Sequence, residues 1–359
     1  MNKKSKQKKG KVIFTACFLI CLLLVLWCLQ RLVEPKYMGS VVEGAMIPEY
    51  YSAEKNNEVV FIGDCELYEN ISTVELWKKY GISSYTRGSA QQLIWQSYYL
   101  AEETLKYEHP KAIVFNVLSM KYSKPQREAY NRMTLDGMRW SPSKVKSILA
   151  SETDGEHLIE YVFPLLRYHS RISSLTSDDF KYFSHRKKVT FNGYYMRVDT
   201  RAAKNVPKGI PLTDYSFGKS DWKYLDKLRT LCEKNGTELI LVKAPTLYPA
   251  WYDEWDEQIQ NYADKYGLSY YNFLKDQDEI GLDYSTDTYD RGLHLNLSGA
   301  EKMADYFGNI LQTDHGCVSQ KGDKKLDRYW DKVTSRYEAE KERQYRNLKK
   351  YGNIRGEKK

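Results

Sequence analysis

The chain has 359 residues, 42% hydrophobic and 28% charged, a composition that excludes a disordered tract and allows one large domain or two modest ones. Its formal net charge of +8 sits at the ends: residues 1–11 carry six Lys and no acid, and Ser319–Lys359 carry fourteen Lys and Arg against seven Asp and Glu. Residues 12–318 are therefore net −5, the wrong sign for a nucleic-acid groove.

Behind the lysine-rich tail 1–11, Val12–Leu29 is an unbroken run of apolar and small residues, close to the length of a helix that crosses a bilayer. The bulky residues from Trp27 to Arg31 offer no small-x-small cleavage site, and Trp27 is too large for a lipoprotein reading of Cys28. We therefore expect an uncleaved anchor over 12–32 rather than a removed leader. The six Lys hold the amino end in the cytoplasm, which makes this a single-pass protein of the cell membrane with an extracytoplasmic domain. Residues 33–57 read as a connector carrying an apolar patch, Val41–Ile47.

Val59–Glu66 (VVFIGDCE) is a short buried strand broken by Gly63 and Asp64, which presents Cys65 at the strand's carboxyl end. In open α/β sheets ligands and catalytic groups gather at that edge. Ser72–Glu75 is a capping-box pattern opening a helix that runs to Lys79 and stops near Gly81. Ile82–Thr86 is a second strand leading to Gly88, Ala90–Tyr107 a long helix, and Lys111–Asn116 a third strand. Strands alternating with helices at this pace predict a parallel, doubly wound sheet. Residues 121–218 lose that rhythm and read as an insertion, a lid or recognition cap, with helices from Pro142 and over Glu156–Leu175, interrupted at Pro164. The pattern returns with a helix over Asp221–Asn235, a strand Glu238–Val242, a helix Trp251–Lys265, a strand Leu268–Tyr271 and a helix Ser298–Leu311. Within 319–359, Leu326, Trp330, Val333 and Tyr337 form a narrow apolar stripe on a charged helix, packed at its start and solvated at its end.

A second stretch, Tyr289–Ala300 (YDRGLHLNLSGA), supplies Asp290 and His294. A thiol, an imidazole and a carboxylate are the parts of an activated nucleophile: the imidazole takes the thiol proton and the carboxylate orients the imidazole. The same residues have plainer readings. A histidine in a Gly-containing loop is often a structural hydrogen-bonder, Asn116 caps a strand end, and Gly88 needs only turn geometry. His169, in the cluster Arg167–Arg171, suits substrate binding or support of the cap better than chemistry. Cys65, Cys232 and Cys317 form no CxxC pair, so neither a disulfide framework nor a zinc site is indicated. No Gly-rich phosphate loop or metal-ligand spacing is present, and we expect no cofactor and no metal.

Gly63-Asp64-Cys65, Gly88, Asn116 and the Asp290…His294 pair together resemble the SGNH/GDSL hydrolase superfamily, in particular membrane-anchored bacterial members similar to the D-alanyl-lipoteichoic-acid biosynthesis proteins. The resemblance spans most of Glu58–Leu311. It implies a flavodoxin-like three-layer α/β sandwich with a central parallel sheet over residues 58–318, with Cys65 as nucleophile, His294 and Asp290 as its partners, and an oxyanion hole from Gly88 and Asn116. Two departures stand out. Cys replaces the family's Ser, and the carboxylate lies four residues before His294 rather than three, which makes Asp287 an alternative. The resemblance further implies an acyl esterase or O-acyltransferase working through a thioester on a cell-envelope glycan or acylated polymer, with a membrane-bound acyltransferase as partner and no nucleic acid. The rival is a catalytically silent scaffold or binding protein of the same fold. A thiol redox protein would need a disulfide from Cys65 to Cys232 or Cys317.

Overall fold

A computed structural model describes residues 3–35, 46–184 and 188–356, which fall into two units, Met1–Lys36 with Asp154–Lys187, and Tyr37–Thr153 with Lys188–Lys359. Most of the apolar patch Val41–Ile47 lies outside the described residues; Met46 and Ile47 are buried.

The smaller unit contains a helix, Lys3–Val33, of which Lys8–Val33 is long and apolar enough to cross a membrane. Its 26 residues reach about 39 Å at 1.5 Å each, more than the roughly 30 Å of a bilayer's hydrocarbon. Within residues 154–184 of this unit, the helical stretch expected over Glu156–Leu175 is interrupted at Pro164. Pro164 starts a new turn, giving short helices Leu158–Val162, Pro164–Tyr168 and Ser177–Lys181, with a 3-10 stretch His169–Ser174 between the last two. His169 is exposed, and its Nδ1 lies 3.1 Å from the Leu166 carbonyl.

The larger unit is a five-stranded parallel sheet: β1 (Val59–Gly63), β2 (Ser84–Gly88), β3 (Ala112–Asn116), β4 (Glu238–Lys243) and β5 (Ser269–Asn272), in the order β2-β1-β3-β4-β5. That is the flavodoxin-like order, with its switch point between β1 and β3. β1 reads as a continuous apolar run because both its faces are covered. On one side Leu67, Leu76, Met303 and Phe307 pack against Val59, Phe61, Val114 and Ile240. Helices Ile94–Tyr107 and Lys219–Asn235 also pack on the sheet, making contact with β1 and β4 respectively.

The insertion expected at 121–218 is not one body. Residues 154–187 belong to the smaller unit, whereas 121–153 and 188–218 are part of the α/β unit. The reason is visible at Asn192 and Gly193, both with positive φ, which form a tight turn between Phe191 and Tyr194. This turn pairs with the edge strand β2: Thr86 N–H donates to the Asn192 carbonyl at 2.9 Å, and the Asn192 amide donates to the Ser84 carbonyl at 3.2 Å. A Cβ at Gly193 would lie 2.0 Å from the Thr86 carbonyl oxygen, so only glycine lets the turn close onto the strand. The C-terminal helix, Lys324–Tyr351, buries the expected stripe: Trp330 stacks on Trp77 at 5.2 Å, and Leu326, Val333 and Tyr337 join the same core.

Candidate active site

The chain between β1 and the next helix turns sharply. Asp64 caps the single turn Cys65–Tyr68, its carboxylate accepting the Glu66 N–H at 3.1 Å, and this places Cys65 at the carboxyl edge beside the switch point. Gly88, in register with Gly63, ends β2. A Cβ there would stand 2.9 Å from the Gly63 carbonyl oxygen and 3.0 Å from the Tyr68 ring, so a bare backbone lets β2 end against the Cys65–Tyr68 turn.

His294 comes from a loop whose local hydrogen bonds fix the imidazole. Thr288 Oγ1 donates to the His294 carbonyl at 2.7 Å and accepts the Gly292 N–H at 2.8 Å. Arg291 and Gly292 both adopt positive φ, and these two left-handed residues turn the chain between Asp290 and His294. As a result the Asp290 carboxylate reaches His294 twice: Oδ1 accepts the backbone N–H at 2.8 Å and Oδ2 the Nδ1–H at 2.6 Å. Asp287 is elsewhere, buried, paired with Lys302 at 2.7 Å and accepting the Asp283 N–H at 2.9 Å. Asp290, not Asp287, is the carboxylate of His294.

With Nδ1 carrying its proton toward Asp290, Nε2 is left buried without a hydrogen-bond partner. The Cys65 thiol is close enough to raise the imidazole's proton affinity, and the imidazole lowers that of the thiol. Burial pushes the thiol pKa up, and His294 only partly offsets it. Burial also works against an imidazolium, but the Glu69 charge, the thiolate and the Asp290 hydrogen bond outweigh it and hold His294 well above the usual histidine range.

Glu69 and Tyr289 were not singled out in the sequence. The Tyr289 hydroxyl donates to the Glu69 carboxylate, its oxygen lies 3.3 Å from His294 Nδ1, and its ring lies nearly parallel to the imidazole. The Arg197 guanidinium sits 4.2 Å from the Tyr289 ring centre, held by a bidentate pair with Asp199 at 2.9 and 2.7 Å. Glu69 is buried, and burial raises its pKa against the pull of His294. The sequence signal was a Glu four residues past Cys65, just beyond the Val59–Glu66 stretch, and a Tyr beside Asp290, inside Tyr289–Ala300.

Asn116 departs from its expected role. Its amide N–H groups donate to Asp64 Oδ1 at 2.9 Å and to Glu66 Oε2 at 3.0 Å, and its oxygen accepts the Ala244 N–H at 3.3 Å. Both donors are spent on carboxylates, so none remains for an oxyanion. Asn116 instead joins a buried network beneath Cys65. Glu66 and Lys243, both fully buried, pair at 3.0 Å, and the Lys243 ammonium also donates to the Ala244 carbonyl at 2.8 Å and to Thr246 Oγ1 at 2.9 Å. Asp64 is pushed up to about 6 by burial and by the Glu66 charge. The network ties the carboxyl ends of β1, β3 and β4 into one platform.

Cys232 and Cys317 are buried free thiols; Cys317 belongs to the core beneath the sheet. Among the described residues no group of three His, Cys, Asp or Glu side chains is arranged to hold a metal ion.

No protein-family model and no curated protein matches the sequence. Among solved structures, similar folds include a protein proposed as a lipolytic member of the G-D-S-L family from Desulfitobacterium hafniense DCB-2, at 13% identity, covering 71% of this chain and 100% of that one, with a TM-score of 0.35. Another is a proposed acylhydrolase from Bacteroides fragilis NCTC 9343, at 11% identity over 73% of this chain and 90% of that one, TM-score 0.36. A third is a GDSL-like lipase from Bacteroides thetaiotaomicron VPI-5482, at 12% identity over 74% and 95%, TM-score 0.36.

Proposed function

We propose that the chain is an SGNH-like acyl esterase or O-acyltransferase in which Cys65 is the nucleophile, His294 the proton carrier and Asp290 its orienting carboxylate. The observation that carries this reading is the double hydrogen bond from Asp290 to His294, which leaves Nε2 unpartnered beside the thiol. In the form of the pair that shares one proton between sulfur and Nε2, Cys65 sulfur attacks the ester carbonyl carbon, and that proton is on Nε2 once the carbon–sulfur bond has formed. The carbon–oxygen bond then breaks, and the leaving alkoxide takes that proton from the imidazolium. The thioester is next attacked by water or an acceptor hydroxyl, whose proton goes to Nε2 and from there to the departing sulfur. The substrate we propose is an acyl ester of a cell-envelope glycan or polymer outside the membrane, with the Lys3–Val33 helix as anchor and its lysines in the cytoplasm.

A silent scaffold is the second reading, and one observation favours it: Asn116 has no free N–H for an oxyanion, a donor typically worth ~10²–10³ in rate. The two readings separate on acyl trapping. Full-length protein in detergent is offered aryl acetates, and hydroxylamine-labile acetyl is mapped by mass on wild type, Cys65→Ala and His294→Ala. An adduct on Cys65 that is lost in His294→Ala supports the enzyme. Equal labelling of Cys65 with and without His294 removes the triad, and no adduct in any form moves the choice to the scaffold.

A further inference from the structure

The segment 158–183 presents a run of apolar side chains to solvent. Phe163, Leu166, Ile172, Phe180 and Phe183 are between 46% and 57% exposed, and Ile159 and Val162 add to them. Tyr161 and Tyr168 turn inward, so the short helices are two-sided. A soluble surface rarely leaves so many large apolar groups together without a partner.

What covers them follows from where the segment is held. It shares a unit with the Lys3–Val33 helix and packs on that helix's carboxyl end. The Phe183 ring meets Trp27 edge-on at 6.4 Å. The Arg171 guanidinium donates to the Val33 carbonyl at 2.5 Å, satisfying one of the orphan acceptors at the helix end, and also pairs with Asp179 at 3.1 Å. If the lysine tail stops at the inner boundary, about 20 residues of helix cross the hydrocarbon, and the outer boundary falls near Arg31. Trp27 lies one turn inside it, about 6 Å deep. Short two-sided helices lying in an interface bury their apolar face by a similar depth, about 5–10 Å.

We infer that residues 158–183 form a collar embedded in the outer leaflet around the exit of the transmembrane helix, with Phe163, Leu166, Phe180 and Phe183 in the acyl-chain boundary. The ligand of this surface is the lipid bilayer itself. The collar rests on the anchor reading of the N-terminal helix, and the test keeps the two apart.

The full chain is reconstituted in phosphatidylcholine nanodiscs with a benzophenone amino acid placed, one site at a time, at Leu22, Phe163 or Phe180, all exposed positions. After irradiation, phospholipid adducts are read by mass. The collar predicts adducts at Phe163 and Phe180 with at least about half the yield at Leu22, because an apolar face at interfacial depth touches acyl chains continuously. Adducts at Leu22 without any at Phe163 or Phe180 overturn the collar and leave the anchor standing. Absence at all three sites overturns both.

Discussion

Replacing Glu69 by Gln removes one carboxylate from the surroundings of His294 while keeping an acceptor for the Tyr289 hydroxyl. The Tyr289 oxygen bridges the two groups, so the carboxylate lies no farther from Nδ1 than two hydrogen-bond lengths, about 6 Å. At an effective dielectric near 20, a unit charge at that distance acts on the imidazolium with about 3 kcal/mol, roughly two in pKa at full strength. Solvent on the exposed side of Cys65 reduces this, and we expect a fall short of that full strength. The sign is unambiguous because Glu69 raises the proton affinity of both partners, holding the imidazolium and opposing the thiolate. Removing it lowers both steps, so the thiolate–imidazolium pair is reached at lower pH. The assay is the pH dependence of Cys65 alkylation by iodoacetamide, followed on the Cys65 peptide, whose midpoint belongs to the pair rather than to either group. Wild type should turn on well above the ordinary histidine range, Glu69→Gln at lower pH, and Glu69→Asp close to wild type. A midpoint unmoved or raised in Glu69→Gln would refute the electrostatic account of this site.

Two other predictions concern stability. Asp64 has a folded pKa near 6 against an unfolded value near 3.8, so the folded state binds the proton more tightly and stability falls as pH rises from about 4 through about 6. Asp64→Asn keeps the cap and removes this charge; it should raise Tm at pH 7.5 by the equivalent of up to about 3 kcal/mol and change little at pH 4. An equal effect at both pH values argues against it. Trp330→Ala empties a site 1% exposed and stacked on Trp77, and should cost about 3–5 kcal/mol, a Tm lower by roughly 6–20 °C on thermal unfolding. A loss below about 1 kcal/mol would mean that the C-terminal helix is not part of the cooperative fold.

The strands and their carboxyl-edge residues were legible because a parallel sheet needs unbroken apolar runs, and VVFIG, AIVFN and ELILV supply them. Cys65, Asp290 and His294 could be proposed as partners because each lies at a strand end or in a short motif. What stayed hidden were pairings between distant residues. Nothing in the sequence says that Lys243 would meet Glu66, 177 positions away, or that Asn116 would spend its amide on two carboxylates instead of an oxyanion. The split of the expected insertion had a local signal, the Asn192-Gly193 turn, but its arms are single residues rather than strands, so no alternating pattern announced the hairpin. The split also depends on contacts of 154–187 with the N-terminal helix, which hydropathy of the segment alone does not reveal.

The same fields bear on why a thiol stands where the resemblance implies a hydroxyl, and on the choice between hydrolysis and transfer. Asp64 and Glu69 both oppose a negative sulfur, and burial opposes it more strongly still. A sulfur whose thiolate is hard to form is also a reluctant leaving group, since departure recreates that anion. Acylation escapes this penalty because the attacking sulfur loses its proton to Nε2 while bonding to carbon. In deacylation the imidazolium must return that proton as the sulfur departs, and an imidazole whose proton affinity is raised gives it up slowly. A thioester in this cradle should therefore outlive one on an acidified thiol, which gives a polymer hydroxyl time to bind. Retention of the Cys65 adduct after free aryl acetate is removed, followed by its loss on adding a polyol acceptor, is the result that transfer requires.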